Sequence, residues 1–134
     1  MTTFTTELSV RFRDIDAMGH VNNAVYATYL EQARTEYYRE VLDVTLDEID
    51  SVLASLSLEF DRPITLSEER VTVAVDVPEL GTSSIPMEYT IRTDAGVAAT
   101  GESVQVLFDR ETESSVPIPD DWRAVLVDYH ELGR

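Results

Sequence analysis

One long helical pattern, set between strand patterns, most strongly limits what this chain can fold into. Between residues 24 and 41, apolar side chains recur at the three- and four-residue spacing of a single helix face, with no internal glycine or proline. These side chains are Tyr26, Tyr29, Leu30, Ala33, Tyr37 and Val41. A helix with one apolar face must bury that face against another layer. The pattern therefore predicts a central helix packed on whatever the rest of the chain forms.

The rest of the chain is dominated by alternating apolar and polar residues, which is typical of strands with one buried face. Five strands are predicted, over residues 2–13, 51–60, 70–77, 84–92 and 97–108. In the last strand the apolar phase changes from odd to even positions, and we expect a β-bulge near Gly101. Four consecutive strands with short turns favour antiparallel pairing. The sequence thus predicts a single α+β domain over residues 1–134, with a long helix on a five-stranded, mostly antiparallel sheet.

Smaller features mark the ends of these elements. An asparagine at position 22 or 23 is expected to cap the long helix, and Thr45-Leu-Asp-Glu48 resembles a capping box that opens a short turn. Pro117 and Pro119 are expected to end the sheet, and Pro119 to start a short terminal helix. His130 follows that helix and is expected at the surface. Pairing with a second copy would remove the exposed edge of such a sheet, so a homo-oligomer is expected.

The charge balance limits the partners of this protein. The net charge is −16, and all ten basic residues are arginines. Such an excess of acid argues against nucleic acid and anionic membrane surfaces, both of which attract basic proteins. Concentrated salt screens the self-repulsion of a highly charged chain. The composition therefore favours a halophilic protein.

Missing features exclude several classes of site. There is no cysteine, so disulfides, cysteine-bound zinc and thiol nucleophiles are excluded. Two histidines without paired spacing do not form a metal site, and the G-x-S-x-G, G-x-G-x-x-G and P-loop motifs are absent. Neither a membrane-length apolar run nor a signal peptide is seen, so a cytoplasmic location is expected. No metal or redox cofactor is expected.

The loop before the helix concentrates the residues that can carry chemistry. Within ten residues it contains two carboxylates, a glycine, a histidine and two amides: Asp14, Asp16, Gly19, His20, Asn22 and Asn23. Asp14 is expected to be structural, bonding loop amides or pairing with an arginine. On the helix that follows, Glu31 and Arg34 are spaced for an ion pair.

This segment resembles a known signature. The pattern Asp14-x-Asp16-x-x-Gly19-His20-Val21-Asn22-Asn23-x-x-Tyr26 is similar to that of hotdog-fold thioesterases, and most similar to acyl-CoA thioesterases of the 4-hydroxybenzoyl-CoA thioesterase-like group. The strand–helix–strand order and Pro117-Ile118-Pro119 are similar too, so the resemblance covers nearly the whole chain. It implies the hotdog fold, and hydrolysis of an acyl thioester to free acid and coenzyme A by a homodimer or homotetramer.

The resemblance also implies roles for the loop residues. Asp16 matches the catalytic carboxylate, which acts either as a nucleophile through a mixed anhydride or as a general base for water. The backbone N–H of Asn23 would hold the thioester oxygen, because amides at a helix N-terminus are unpaired and partially positive. His20 is expected at the acyl site. Gly19 would let the loop approach the substrate closely.

Further residues are expected to bind substrate by the same resemblance. Asn22 and Tyr26 adjoin the catalytic positions, and the segment with Thr82, Ser83 and Ser84 resembles one that faces the nucleotide. Arg62 and Arg92 are candidate partners for the phosphates of coenzyme A, which is present only as part of the substrate. The sequence does not determine which acyl group the enzyme would accept.

Two alternatives compete with the thioesterase. One is a hotdog hydratase or dehydratase acting on acyl thioesters, which usually pairs a histidine with a carboxylate. The other is a non-catalytic dimer that binds acyl thioesters. The order of Asp16 and His20 within one loop fits the hydratase less well, and an intact Asp16 argues against the binding dimer.

Overall fold

Helix α1, Asn23–Tyr37, lies against one face of an antiparallel sheet in the computed structural model, which describes residues 2–45 and 50–133. The sheet has the spatial order β1-β3-β4-β5-β2, and each of these strands is antiparallel to its neighbours. The strands are β1 (Phe4–Ser9), β2 (Ser51–Phe60), β3 (Arg70–Asp76), β4 (Ser84–Thr93) and β5 (Gly96–Asp109). The predicted α+β architecture is confirmed.

Two short elements complete the described chain. A two-residue strand, β6 (Ser114–Ser115), pairs with the end of β5. Helix α2 (Asp120–Tyr129) then begins directly after Pro119, as predicted. The proposed capping box at Thr45 extends into residues 46–49, outside the described residues. None of the helices in the described ranges has the length and apolar character that a membrane span requires.

The apolar stripe of α1 forms the centre of the core. Tyr26, Tyr29, Leu30, Ala33 and Tyr37 are all buried, as their spacing predicts. They face apolar side chains of β3 and β4, which include Val71, Val73, Val75, Ile85, Met87 and Ile91. After Tyr37 the helix widens into a π-helical turn, Tyr38–Leu42, and ends at Asp43 in the left-handed conformation with φ 57°. One continuous element therefore covers the predicted helical range.

Two predictions about single residues are wrong. The alternation extends the first strand to residue 13, but β1 ends at Ser9 and Phe12 is 81% exposed. The chain turns there because the Asp14 carboxylate accepts a hydrogen bond from the Arg11 amide at 2.8 Å. His130 is only 1% exposed, since it follows α2 into the core and its Nε2 lies 2.6 Å from Tyr37 Oη. Burial lowers the pKa of this imidazole, although the charge of Asp76 opposes that effect.

The bulge predicted near Gly101 is also misplaced. Gly101 pairs regularly with Leu58, whereas the irregularities lie between Leu53 and Ser55 in β2 and opposite Ile91 and Arg92 in β5. Beyond these irregularities, some of the β5 residues that face α1 are polar. Two of them, Ser103 and Gln105, are buried. The alternation of apolar residues therefore predicts the wrong position for the bulge, because these two polar residues are buried with hydrogen-bond partners in the core.

The two edges of the sheet differ. The β2 edge is ten residues long and leaves the large apolar side chains of Val52, Leu53, Leu56 and Phe60 exposed. The β1 edge has six residues and is more polar, and Glu7 there lies 3.5 Å from Arg70 of the neighbouring strand. Charged side chains on an edge strand oppose pairing with other chains. The long β2 edge lacks that protection over most of its length.

A row of acidic residues crosses the face of the sheet that points away from α1. Asp76 pairs in register with Glu88, and Glu88 pairs with Glu102 on the next strand. Like charges directly opposite each other destabilise a sheet. The net charge of −16 implies repulsion between acidic groups throughout the protein. Part of that repulsion is concentrated in this row, on three neighbouring strands.

We expect Glu88→Gln to raise the free energy of unfolding by about 0.2–1 kcal/mol at low ionic strength, because it removes two like-charge neighbours. In 1 M KCl the Debye length falls to ~3 Å and the gain should disappear. Denaturant unfolding at both salt concentrations measures the difference. Glu7→Gln is the matched control, since Glu7 faces Arg70 and its removal should bring no gain. Equal gains from both variants would show that net charge matters and the row does not.

Candidate active site

A pocket of about 260 Å³ opens where the loop before α1 meets the end of β2. Its lining combines polar groups from the loop and helix with apolar groups from the strand end: Asp16, Met18, His20, Val21, Asn23, Tyr26, Phe60, Asp61, Arg62 and Pro63. Five of these residues were singled out from the sequence, namely Asp16, His20, Asn23, Tyr26 and Arg62. The sequence reasoning missed Met18, Phe60 and Asp61, although the order Phe60-Asp61-Arg62 at a strand end was visible.

Asp16 organises the loop and also faces the pocket. Its Oδ1 accepts hydrogen bonds from the backbone amides of Met18 at 2.9 Å and His20 at 3.3 Å. Gly19 closes the turn with φ +82°, and its amide donates to the Asp16 carbonyl at 3.0 Å. Within residues 2–45 and 50–133, Oδ2 of Asp16 has no hydrogen-bond partner. A turn-forming role and a chemical role are therefore compatible in this carboxylate.

The N-terminus of α1 leaves one amide free at a residue that lines the same pocket as Asp16. The side-chain oxygen of Asn22 accepts from the Ala24 amide at 2.9 Å, so Asn22 is the cap, and its carbonyl accepts from Val25 at 2.9 Å. Of the first three helical amides, only that of Asn23 has no partner in the described part of the chain. Asn23 lines the pocket. An unpaired amide at a helix N-terminus is a suitable donor for a developing oxyanion.

Buried Asp14 joins the loop to the helix. Its Oδ2 accepts from the Arg11 amide at 2.8 Å and from Tyr29 Oη at 3.2 Å, and its carbonyl accepts from the Asn22 amide at 2.9 Å. The predicted structural role of Asp14 is confirmed. Burial raises the pKa of the Tyr29 hydroxyl, and the negative charge of Asp14 raises it further. Tyr29 consequently stays protonated and remains a donor.

Arg62 at the back of the pocket already has a carboxylate partner. Its Nη1 lies 2.8 Å from Glu68 Oε1, and its Nη2 donates to Thr93 Oγ1. Burial raises the pKa of Glu68, but hydrogen bonds from the Thr65 amide, Thr93 and Arg62 outweigh it, so the net pKa is lowered. The ion pair holds the wall of the pocket, and phosphate binding by Arg62 stays a prediction.

The other predicted binding residues lie away from this pocket. Thr82, Ser83 and Ser84 are at the opposite end of β4 from Thr93, and nine residue steps of ~3.3 Å place the two ends ~30 Å apart. Arg123 fixes that distant segment, since its Nη2 donates to the Gly81 carbonyl at 2.6 Å. Arg92 is exposed on the sheet face that points away from the core. Within a single chain, neither group meets Asp16.

The predicted ion pair between Glu31 and Arg34 is wrong. Arg34 is 6% exposed and reaches the sheet, where Nη1 donates to Tyr89 Oη at 3.2 Å. With the Gln105 amide oriented to suit its neighbours, its oxygen accepts from Arg34 Nε at 3.1 Å. No carboxylate in the described ranges lies within ion-pair distance of this guanidinium. Arg34 therefore ties α1 to β4 and β5 through neutral partners.

The described residues contain no cluster of three or more histidine and carboxylate side chains that could hold a metal ion. What the pocket does combine is a carboxylate with a free oxygen, a free helix amide and apolar walls. Acyl transfer requires a nucleophile or base, oxyanion donors and a site that limits access of water. The arrangement therefore supplies the groups for attack on an acyl carbonyl.

We expect Tyr29→Phe to lower the free energy of unfolding by about 1.5–3 kcal/mol, because it removes a hydrogen bond to the buried Asp14 carboxylate. Tyr38→Phe is the matched control. The Tyr38 hydroxyl is equally buried but has no partner within the described ranges, so its removal should be neutral or stabilising. Urea unfolding of both variants provides the test. A similar loss in both would show that the missing volume of a buried hydroxyl, and not the bond to Asp14, is responsible.

Comparison with known proteins identifies the family. Residues 10–126 match the thioesterase-like superfamily. A thioesterase from Thermus thermophilus, solved with coenzyme A and zinc, is 33% identical with a TM-score of 0.86, and the match covers 97% of this chain and 96% of that one. A predicted thioesterase from Bacillus stearothermophilus is 27% identical with a TM-score of 0.87, and the match covers 96% of both chains.

A curated relative agrees with these structures. The long-chain acyl-CoA thioesterase FadM of Escherichia coli K12 is 26% identical over 126 residues, which cover 90% of this chain and 95% of FadM. The expected hotdog fold is confirmed by the structural matches. The expected enzyme class, a thioester hydrolase, is confirmed as well, since this chain belongs to the thioesterase-like superfamily.

Proposed function

We propose that this protein hydrolyses an acyl-CoA thioester to a free acid and coenzyme A. One observation carries the proposal: the Asp16 carboxylate and the unpaired Asn23 amide line the same small pocket. The solved relative that contains coenzyme A supports the choice of thioester. The thioesterase is preferred to the hydratase and the binding dimer, because the chain belongs to the thioesterase-like superfamily.

The chemistry follows from the two groups. The thioester oxygen accepts a hydrogen bond from the Asn23 amide, which stabilises the negative charge that develops there; one such donor typically contributes ~10²–10³ in rate. Asp16 Oδ2 then either attacks the carbonyl carbon or takes a proton from an attacking water. Attack by Asp16 expels the thiolate and forms a mixed anhydride, which water cleaves to regenerate the carboxylate. Both routes require Asp16 at the same place, and both remain open.

His20 and Tyr26 complete the proposed site. His20 lines the pocket beside Asp16, and its backbone amide already donates to Asp16 Oδ1. Burial raises the pKa of the Tyr26 hydroxyl, which also bonds the Ile64 backbone, so Tyr26 is a neutral wall. Contact of His20 with the acyl group stays a prediction, as does the expectation that neither a metal nor a redox cofactor takes part.

We infer that two copies pair through their β2 edges to make the working enzyme. Antiparallel pairing about a two-fold axis sets the start of one β2 beside the end of the other. The start of β2 is two strands from Ser84, since Val52 pairs with Val106 and Val106 with Ser84. The end of β2 carries Phe60 and the pocket. Pairing would thus bring residues 82–84 of the second copy toward the pocket, which a single chain cannot do.

The acidic surface affects how coenzyme A approaches the protein. A net charge of −16 repels coenzyme A at long range, and concentrated salt screens that repulsion while direct hydrogen bonds survive. This supports activity in concentrated salt and a halophilic source. The cytoplasmic location expected from the sequence stays a prediction.

We expect light scattering after size exclusion in 1 M KCl to give the mass of two chains or a multiple of it, because the exposed apolar edge of β2 should pair. Dilution to nanomolar concentration tests how tightly the pairs hold. A mass of 15.1 kDa at micromolar concentration would contradict pairing.

We expect wild-type protein in molar KCl to release free thiol from acyl-CoAs, and Asp16→Asn to lose at least a hundredfold in kcat, because the amide can neither attack nor accept a proton. Asp94→Asn, in the exposed turn between β4 and β5, is the charge-matched control and should keep full activity. Asp61→Asn tests the other carboxylate of the pocket. Loss in Asp61→Asn with activity kept in Asp16→Asn would assign the chemistry to Asp61 instead.

A further inference from the structure

We infer that Tyr29, a residue of the core, positions the two reacting groups of the site through its hydrogen bond to Asp14. The inference rests on the proposed function, because it assigns a positioning residue to the same reaction. Tyr29 does not line the pocket. It determines where the Asp16 carboxylate and the Asn23 amide lie relative to each other.

Asp14 is connected to both reacting groups over a short distance along the chain. It lies two residues before Asp16. Its carbonyl accepts a hydrogen bond at 2.9 Å from the amide of Asn22, which directly precedes Asn23. A displacement of Asp14 would therefore reach the carboxylate through two residues of backbone and the oxyanion donor through one hydrogen bond.

The loop between these two points is closed by its own backbone, so it moves as one unit. Ile15 forms an antiparallel bridge to Val21, and the Asp16 amide donates to the His20 carbonyl at 2.8 Å. The Val21 amide donates in turn to the Ile64 carbonyl at 2.8 Å. That last bond holds the loop at one point only. Without a second anchor the loop could turn about it.

The Tyr29 hydroxyl is the part of the second anchor that a side-chain substitution can remove. Asp14 Oδ2 accepts from the Arg11 amide at 2.8 Å and from Tyr29 Oη at 3.2 Å. The Arg11 guanidinium reaches the other oxygen at 3.5 Å, but its side chain is 51% exposed, and exposed ion pairs contribute little. Within the described residues, Tyr29 is thus the one buried side chain that bonds this carboxylate.

These contacts do not depend on a second copy of the chain. Tyr29 and Asp14 are 2% and 3% exposed in a single chain, and neither belongs to β2. Pairing at the β2 edge can add cover but cannot expose groups that are already buried. The inference therefore applies equally to a single chain and to the proposed dimer.

The first test measures kcat and KM in 1 M KCl for the acyl-CoA that wild type hydrolyses fastest, at a temperature where circular dichroism shows each variant folded. Tyr29→Phe should lower kcat by about tenfold or more, since a misplacement of ~1 Å can cost ~10²-fold in rate. KM should stay within about twofold, because the lost alignment acts in the transition state. Tyr38→Phe is the control and should keep wild-type kcat, since its buried hydroxyl has no partner in the described ranges.

Asp14→Asn separates the hydrogen bond from the charge. The amide oxygen of asparagine can accept from Tyr29 and from the Arg11 amide, as Oδ2 of Asp14 does. We therefore expect kcat to stay within about threefold of wild type, because a neutral acceptor weakens these bonds without removing them. A loss of about tenfold in folded Asp14→Asn would show that the charge acts instead, and would overturn the inference even if Tyr29→Phe did not fold.

Amide hydrogen exchange followed by NMR gives a readout that general destabilisation would not reproduce. In Tyr29→Phe the Asn22 amide should exchange about tenfold faster relative to the Leu107 amide, which donates to the Ser83 carbonyl far from the loop. Equal acceleration at both amides, or wild-type kcat in folded Tyr29→Phe, would overturn the inference. If wild type releases no thiol from any acyl-CoA, the proposed function fails, while the exchange ratio still decides whether Tyr29 holds the loop.

Discussion

The buried carboxylate of Asp14 is the interaction on which the candidate site depends. A charge removed from water is costly unless hydrogen bonds replace its hydration. Asp14 meets that requirement with the Arg11 amide from one side and the Tyr29 hydroxyl from the second turn of α1. Its carbonyl also accepts from Asn22, the cap of the same helix. The loop and the helix N-terminus are thereby fixed to each other, so Asp16 and Asn23 need not be positioned by the substrate.

A second polar connection holds the far half of α1. Arg34 is buried without a carboxylate and lies instead against Tyr89 and Gln105, while Tyr89 also contacts Ser103 at 2.5 Å. Because these partners are neutral and come from two strands, the contact sets the position of the helix along the sheet with a geometry that an apolar contact would not define. Each end of α1 is therefore located by its own buried polar group.

Local features were predictable from the sequence wherever one element decided the outcome. The spacing of Tyr26 to Tyr37 and the cap at Asn22 depend on the helix alone, and both predictions are confirmed. Phe12 and His130 were mispredicted because their environments are set by distant chain segments: the Asp14 turn for one, and the end of α1 for the other. The buried face of β5 was mispredicted for the same reason, because its polar residues are buried against partners on other elements. Pairing between strands, which places residues 82–84 at the end of β4 that lies ~30 Å from Thr93, is not encoded in any local pattern.

The unequal edges of the sheet limit how far it can grow. Indefinite stacking of strands needs an adhesive edge on both sides of every subunit, as in cross-β fibres. Here β2 is long, apolar and uncovered, whereas β1 is short and carries Glu7 paired with Arg70. Joining two copies at β2 leaves a β1 edge at each end of the combined sheet, and neither end invites a third. In the proposed dimer the partner occupies the open β2 edge, and the β1 edge is too short and too polar to continue the sheet, so the combined sheet stops at two copies.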